Sequence, residues 1–177
     1  GGGFFCSACC PRTAVMPEYR EPSCLRDVAA FHRLFKAPVV GSPAIPDAKR
    51  CALRVELLQE ELNELKEAIS QNDLVEVADA LADIQYVLAG AVHEFGLGTR
   101  FADLFAEVQR SNMSKACATR EEAEATVAHY AAKDQPARIE ECDGQYLVYR
   151  TADNKVLKSV KYSPAALQPI VEAGKEN

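Results

Sequence analysis

The stretch from Glu56 to Asp83, ELLQEELNELKEAISQNDLVEVADALAD, predicts two successive helices joined by a short turn. Its first part repeats apolar residues at the spacing of one helix face: Leu58, Leu62, Leu65 and Ile69. Asn72-Asp73 interrupts this pattern and supplies a capping side chain for the next helix. We therefore expect one helix from Asp47 to about Ser70 and another from Leu74 to about Phe95.

Shorter helical and strand patterns lie on both sides of this helix pair. Three further helices are predicted at residues 23–36, 99–111 and 119–133, and Ser163-Pro164 opens a final short helix. Asp143-Gly144 stands between two strand-like runs, which is typical of a β-hairpin with a two-residue turn. The predicted fold class is therefore all-α: an oligomeric bundle of four to five helices with a small C-terminal β-hairpin appendage.

These patterns divide the chain into three segments. We expect residues 1–22 to be a disordered tail or leader sequence, residues 23–135 a helical domain, and residues 136–177 a hairpin and tail packed on that domain. The first segment contains three cysteines with the spacing of half a zinc site: Cys6, Cys9 and Cys10. No second half follows at ligand spacing, so the cluster gives only weak support to a zinc centre.

The charge balance argues against several classes of partner. The 177 residues include 26 acidic and 20 basic side chains, which gives a net charge of −6 at pH 7. Polymeric nucleic acid and anionic membrane surfaces attract an excess of positive charge, which this chain lacks. No apolar run approaches the roughly 20 residues that a membrane-spanning helix needs. We expect a cytoplasmic protein with neither polymeric nucleic acid nor membrane as a partner.

An acidic stripe runs along the first helix of the central pair. At about 100° per residue, four glutamates share one narrow face that Glu61 flanks: Glu56, Glu60, Glu64 and Glu67. A solvated helix face explains such residues too, although it usually places lysine or arginine four positions after glutamate. Here Glu60 stands four positions after Glu56 and Glu64 four positions after Glu60, so the glutamates of the stripe repel one another. A divalent cation would convert that repulsion to attraction.

The second helix of the pair carries acids along one line of an otherwise apolar segment. Glu76, Asp79 and Asp83 stand at positions i, i+3 and i+7, and we expect them to face the interior of a bundle. No lysine or arginine occurs between Asn72 and Gly98 to neutralise them. Because unpaired buried carboxylates are costly, we expect the two acidic lines to face each other and share Mg²⁺, with Mn²⁺ as a substitute.

These acids resemble the motif of a known enzyme family. Three short motifs follow one another in the chain: Glu60-Glu61-x-x-Glu64, Glu76-x-x-Asp79 and Asp83-x-x-Tyr86. This series resembles the motif of the all-α nucleoside triphosphate pyrophosphohydrolases, the group that includes MazG-like and phosphoribosyl-ATP pyrophosphohydrolase-like proteins. The run Phe105–Lys115, FAEVQRSNMSK, resembles the helix that delivers an asparagine and a lysine to the substrate in that family. The resemblance extends roughly from Ser23 to Val171 and points to a branch with dUTPase-like members.

The resemblance implies a reaction and a role for each acid. A nucleoside triphosphate, with dUTP or a non-standard nucleotide among the candidates, is cleaved between its α and β phosphates to a monophosphate and pyrophosphate. Glu60 is the implied general base. The implied Mg²⁺ ligands are carboxylates of both helices: Glu61, Glu64, Glu76, Asp79 and Asp83. Glu76 is included because Ala80 stands where the family usually has a glutamate, so Asp79 or Glu76 must substitute.

The resemblance also implies substrate contacts outside the acidic lines. They are Phe31, Asn112, Lys115, Lys158 and Tyr162. Each has a plainer explanation as a core aromatic, a helix-end residue or part of a basic solvated tail. The family further implies a homodimer or homotetramer. Two alternatives stay open: a phosphoribosyl-ATP pyrophosphohydrolase, and a non-catalytic nucleotide-binding or structural helical oligomer.

Overall fold

The computed structural model describes residues 18–174, and this part of the chain contains six helices and one two-stranded antiparallel sheet. The elements in chain order are α1 (Cys24–Leu34), α2 (Ala48–Gln71), α3 (Leu74–Glu94), α4 (Phe101–Met113), α5 (Arg120–Ala131), β1 (Ala137–Cys142), β2 (Gln145–Arg150) and α6 (Gln168–Glu172). The predicted class, mostly helical with a small C-terminal hairpin, is confirmed, and the six described helices correspond to the five predicted helices and the final short one. None of these helices is long and apolar enough to cross a membrane. The cluster of Cys6, Cys9 and Cys10 lies outside the described residues.

The chain divides into two compact units whose boundary lies within α4. One unit contains Arg20–Leu104 and the segment that begins at Leu167, and the other contains Phe105–Ala166. The first unit therefore includes α1, α2 and α3, while the second includes α5 and the hairpin. The expected boundary at residue 136 falls inside the second unit, because β1 and β2 pack directly against α5.

Capping side chains fix the ends of α2 and α3, as the sequence predicts. At the start of α2, the side chain of Asp47 accepts a backbone N–H bond of 3.0 Å. Asn72 ends α2 in the left-handed conformation, with φ of 54°. Asp73 then accepts two N–H bonds from the first turn of α3, at 3.0 and 3.2 Å. These bonds satisfy N–H groups that have no partner within their own helix, so two residues suffice to join α2 to α3.

A buried ion pair joins the opposite ends of α2 and α3. The carboxylate of Glu94, only 1% exposed, accepts hydrogen bonds from Nε of Arg50 and Nε of Arg54, both at 2.8 Å. Burial raises the pKa of Glu94, but the hydrogen bonds from the two arginines outweigh it, and the pKa lies below its ordinary value. Gly90 leaves the space for this arrangement, since a Cβ there would lie 2.7 Å from Nη1 of Arg54. The sequence pattern does not reveal the pair, because its partners are 44 and 40 residues from Glu94.

The second unit has a small core of its own. Four apolar side chains from α5, the hairpin and the adjoining segments are buried together: Cys117, Ala123, Val148 and Leu157. The hairpin turn places Asp143 and Gly144 at positive φ, 49° and 75°, as a two-residue primed turn requires. Cys142 and Gln145 pair directly across this turn. The predicted hairpin and its turn are therefore confirmed.

The final helix begins later than the sequence predicts. It starts at Gln168 rather than at Ser163-Pro164. Within the second unit, the backbone N–H of Ala166 donates a hydrogen bond of 2.8 Å to the carboxylate of Glu107 on α4. This contact and others like it hold residues 163–166 along α4 instead of in a helix of their own.

Replacing Glu94 with glutamine should destabilise the protein strongly. The variant leaves the buried Arg54 without a carboxylate partner, and breaking a buried ion pair costs about 3–5 kcal/mol. Because folding lowers the pKa of Glu94, its contribution is present above the ordinary glutamate pKa and is lost as the pH falls through the lowered one. Urea unfolding at pH 7 measures the loss. The exposed control Glu56→Gln should change the unfolding free energy by less than about 0.5 kcal/mol, and equal stability of the two variants would contradict the prediction.

Candidate functional site

Four acids of α2 and α3 line one cleft of about 400 Å³, and Glu60, Glu61 and Asp83 are not among its lining residues. It lies between the C-terminal half of α2 and the N-terminal half of α3, and polar atoms form most of its wall. Its lining residues are Glu64, Glu67, Ala68, Gln71, Glu76, Asp79 and Ala80. The structure therefore brings three predicted ligands, Glu64, Glu76 and Asp79, to the same cleft. Glu67 also lies there, although the sequence analysis assigns it no role beyond the acidic stripe.

Glu61 stands at the centre of the electrostatic repulsion between the two helices. Its Oε2 atom is buried and has no hydrogen-bond partner. Burial raises the pKa of Glu61, and the negative charges of four neighbours raise it further: Glu64, Asp83, Glu60 and Asp79. Among the described residues, no basic side chain opposes this shift. Carboxylates from both acidic lines thus interact around one half-buried glutamate.

The acids of α3 are exposed, which corrects the expectation that they face a buried interior. Glu76, Asp79 and Asp83 are all accessible to solvent. The apolar residues of the same helix turns do not enclose them, because Leu74 and Val75 are 79% and 76% exposed. The N-terminal half of α3 therefore lines an open cleft, and the buried acid of this helix is Glu94 at its other end.

The structure distinguishes Glu76 from Asp79. Both line the cleft, but Asp79, unlike Glu76, is among the acids that raise the pKa of Glu61. Ala80, the residue after Asp79, is buried and offers no side-chain oxygen. Asp79 is therefore the acid of this pair that interacts with Glu61.

The carboxylates around Glu61 suit a hard divalent cation. The side chains around Glu61 offer carboxylate oxygens, which Mg²⁺ and Mn²⁺ prefer as ligands. Within residues 18–174, no three acidic, histidine or cysteine side chains converge closely enough to hold an ion as they stand. The buried Oε2 of Glu61 lacks a partner, and a positive charge would both satisfy it and relieve the repulsion. The residues present therefore fit such an ion, provided that their side chains move towards it.

Phe31 belongs to an aromatic cluster between α1 and α3. Its ring centroid lies 4.3 Å from that of Phe35 and 5.7 Å from that of Tyr86, with the Tyr86 ring edge-on. Phe31 and Tyr86 are each 41% exposed, so neither is an enclosed core aromatic. Tyr86 follows Asp83 by three residues and lies on the same face of α3. The first unit thus presents an accessible aromatic surface on the helix face that carries the acids.

The other four predicted substrate contacts lie together in the second unit. Nζ of Lys115 donates a hydrogen bond of 2.9 Å to Oδ1 of Asn112. Nζ of Lys158 lies 4.2 Å from the ring centroid of Tyr162, whose hydroxyl accepts a bond of 3.1 Å from Oγ of Ser111. The bond from Ser111, together with the charges of Lys158 and Lys115, lowers the pKa of Tyr162. The sequence does not single out Ser111, because a serine within a helix has no motif of its own.

Comparison with known proteins identifies similar sequences. Residues 28–112 match the family model of phosphoribosyl-ATP pyrophosphohydrolase. A stretch of 45 residues is 44% identical to an uncharacterized protein of Acanthamoeba polyphaga mimivirus, and it covers 25% of this chain and 18% of the viral protein. The family match includes every predicted metal ligand and ends at Asn112. Lys115, Lys158 and Tyr162 lie beyond it.

Removing the charge of Glu61 should stabilise the metal-free protein. Because folding raises the pKa of Glu61, its ionisation opposes folding once the pH rises above the ordinary glutamate pKa. Glu61→Gln removes this cost and should raise the midpoint of thermal unfolding by a few degrees at pH 7 in the presence of a chelator. Below the ordinary glutamate pKa, Glu61 is protonated in both the folded and the unfolded state. The unfolding midpoints of Glu61→Gln and the unmodified protein should then be equal.

The control for this experiment is Glu56→Gln, which removes an exposed charge from the same helix at a position outside the cleft. Its unfolding midpoint should stay close to that of the unmodified protein at both pH values. A Glu61→Gln variant that unfolds at or below the unmodified protein's midpoint at pH 7 would contradict the prediction.

Proposed function

Because the chain belongs, through residues 28–112, to the all-α MazG-like nucleoside triphosphate pyrophosphohydrolase superfamily, we propose that it is a cation-dependent pyrophosphohydrolase. The substrate is a nucleoside triphosphate, and cleavage between the α and β phosphates gives a monophosphate and pyrophosphate. The observation that carries the proposal is the buried, unpartnered Oε2 of Glu61 among carboxylates of both helices. Such a group suits a metal ion that binds phosphate.

The chain's own residues divide into ligands and a base. The ligands of Mg²⁺, or of Mn²⁺ in its place, would be Glu61, Glu64, Asp79 and Asp83, and Glu76, which lines the cleft with Glu64 and Asp79, would be a further ligand. When bound, the ion supplies positive charge that neutralises phosphate oxygens and acidifies a water molecule. Glu60 is exposed beside these acids and would accept the proton of the attacking water.

The remaining residues bind the nucleotide. Asn112 and Lys115 would donate hydrogen bonds to phosphate oxygens, and charge-assisted bonds of this kind are the stronger ones. Lys158 and Tyr162, which the second unit holds near Lys115, would add donors of the same kind. Phe31, which is 41% exposed, would contact the base with its ring.

A second candidate substrate is phosphoribosyl-ATP, which the matching family model favours. It also carries a phosphate chain from which pyrophosphate can be released. We place the nucleoside triphosphate first because the hairpin and C-terminal segment, which the family model does not cover, resemble the branch with dUTPase-like members.

Product analysis with a panel of substrates tests the proposal. The purified protein is incubated with Mg²⁺ and each ribo- and deoxyribonucleoside triphosphate, including dUTP, and with phosphoribosyl-ATP. Monophosphate and pyrophosphate should appear with at least one substrate. Glu64→Gln and Asp83→Asn should each lower the rate by at least about 100-fold, since losing even a residue behind a metal ligand costs 10–100-fold.

The matched control is again Glu56→Gln, which should retain the rate of the unmodified protein. Release of a diphosphate and orthophosphate would contradict cleavage at the proposed bond. No turnover of any substrate would favour the non-catalytic alternative, and full activity of Asp83→Asn would show that the metal site is misplaced.

We further propose that the protein forms a homodimer or homotetramer through the helix pair. Helices α2 and α3 expose more apolar side chains than isolated surface residues explain. They include Leu62, Ile69, Leu74, Val75 and Leu81.

Sedimentation at micromolar concentration checks this assembly. The unmodified protein should sediment as a dimer or tetramer, and Leu74→Lys should shift it towards the monomer. Val156→Lys introduces the same charge at an exposed position of the second unit and should leave the assembly unchanged. A monomeric unmodified protein would contradict the proposal.

A further inference from the structure

We propose that the outer edge of β1 pairs with the same edge of a second copy of the chain, so that two hairpins form one four-stranded antiparallel sheet. The inference goes beyond the proposed function and does not rest on it, because β1 and the helix pair belong to different units. The family match ends at Asn112 and does not extend to the hairpin.

The strand β2 is occupied on both of its edges. On the side away from β1, Tyr146 exchanges two backbone hydrogen bonds with Cys117, at 2.8 and 2.9 Å. The carbonyl of Val148 accepts from the N–H of Leu157 at 2.8 Å, and the N–H of Arg150 is also bonded on this side. Within the part of the chain that the structure describes, these contacts leave the outer edge of β1 as the open edge of the sheet.

The pairing with β2 determines which backbone groups lie at that open edge. In an antiparallel pair, successive residues direct their N–H and C=O groups alternately towards the partner strand and away from it. Arg138 and Glu140 stand opposite Tyr149 and Leu147, the residues of β2 that alternate with those bonded on its far side. The groups that point outward from β1 therefore belong to the residues beside and between these two: Ala137, Ile139 and Glu141.

These outward groups have no hydrogen-bond partner among residues 18–174. Helix α5 does not close the edge, because it packs against both β1 and β2 and so covers a face of the hairpin. A strand edge with a row of free N–H and C=O groups is a template for a further strand.

The charges of β1 identify a second copy as the partner and specify one register. Hydrogen bonding requires the outward residues of two antiparallel strands to face each other. With a two-fold axis at Ile139, all outward groups find a partner, and Arg138 stands opposite Glu140 of the partner subunit. A shift by two residues in either direction places Arg138 opposite a second arginine or Glu140 opposite a second glutamate, which like-charge repulsion disfavours. Charges on an edge strand usually oppose pairing, but in this register they attract, and the two-fold axis closes the pair.

Arg138 and Glu140 have hydrogen-bonding groups left for this contact. Within one chain, Nη2 and Nε of Arg138 donate to Oε1 of Glu140 at 2.8 and 3.0 Å, and Nη1 donates to Oδ1 of Asn154 at 2.8 Å. Two of the five guanidinium N–H groups remain, as does Oε2 of Glu140. The side chains are 41% and 51% exposed, so both are accessible to a second copy.

Amide hydrogen exchange at increasing protein concentration tests the pairing. Two six-residue strands form a small interface, so we expect weak association between micromolar and millimolar concentration. The amides of Ala137, Ile139 and Glu141 should exchange freely in dilute protein and become protected as the concentration rises. The amides of Arg138 and Glu140 face β2 and should be protected throughout, which shows that the hairpin is folded.

Charge reversal tests the register. Arg138→Glu alone and Glu140→Arg alone each place like charges opposite one another in the symmetric pair. Each variant should therefore associate about 10-fold more weakly than the unmodified protein. An equimolar mixture of the two variants restores opposite charges in the mixed pair and should regain the concentration-dependent protection. Mixing cannot restore an ion pair within one strand, so this recovery identifies a contact between copies.

The matched control is Arg120→Glu, which reverses an exposed arginine that is paired with Glu124 at 3.1 Å on α5 of the same unit. It should leave association unchanged. Free exchange of the outward amides at every concentration would overturn the proposal. A mixture that exchanges like either variant alone, or an equal loss of association in Arg120→Glu, would also overturn it.

The outcome is separable from that of the proposed function and of the assembly through α2 and α3. The protection at high concentration should persist in Leu74→Lys, and its loss there would count against the proposal. A protein that hydrolyses triphosphates but never protects the outward amides refutes only this inference. A protein that protects them, yet hydrolyses no substrate, refutes the proposed function and leaves the strand pairing standing.

Discussion

Glu94, held between Arg50 and Arg54, is the contact on which the helix pair depends. A carboxylate buried this deeply is tolerated because two guanidinium groups from the neighbouring helix neutralise it and satisfy its oxygens. The pair fixes one end of α2 against α3, while the turn at Asn72-Asp73 fixes the other. The register between these two points determines which acids face one another.

The acids around Glu61, on the same two helices, are not neutralised in this way. Carboxylates of both helices surround Glu61, and among the described residues no basic side chain offsets their repulsion. Two arginines neutralise Glu94, but no arginine or lysine of the described residues does the same for Glu61, although the same two helices form both sites. This contrast is the main support for a divalent cation beside Glu61. Through the cation, it also supports phosphate chemistry as the function.

Local signals predicted much of this molecule, and long-range contacts account for what they missed. The turn at Asp143-Gly144 and the cap at Asp73 follow from backbone preferences of a few residues, and both are present. Helical spacing also placed Asp79 and Asp83, two of the acids that interact with Glu61, on one line of α3. Spacing within one helix cannot say which face another element covers, so the acids of α3 were expected to be buried and are exposed. Glu94 was overlooked for the same reason, because its partners come from a different helix.

Titration of the metal-free protein with Mn²⁺ shows whether the acids of α2 and α3 form a cation site. Titration should show saturable binding to the unmodified protein, with the same affinity in Glu56→Gln and an affinity at least about 10-fold lower in Asp83→Asn. These affinities would place the ion among the acids that α2 and α3 bring together. The absence of saturable binding, or an affinity that Asp83→Asn leaves unchanged, would contradict the account.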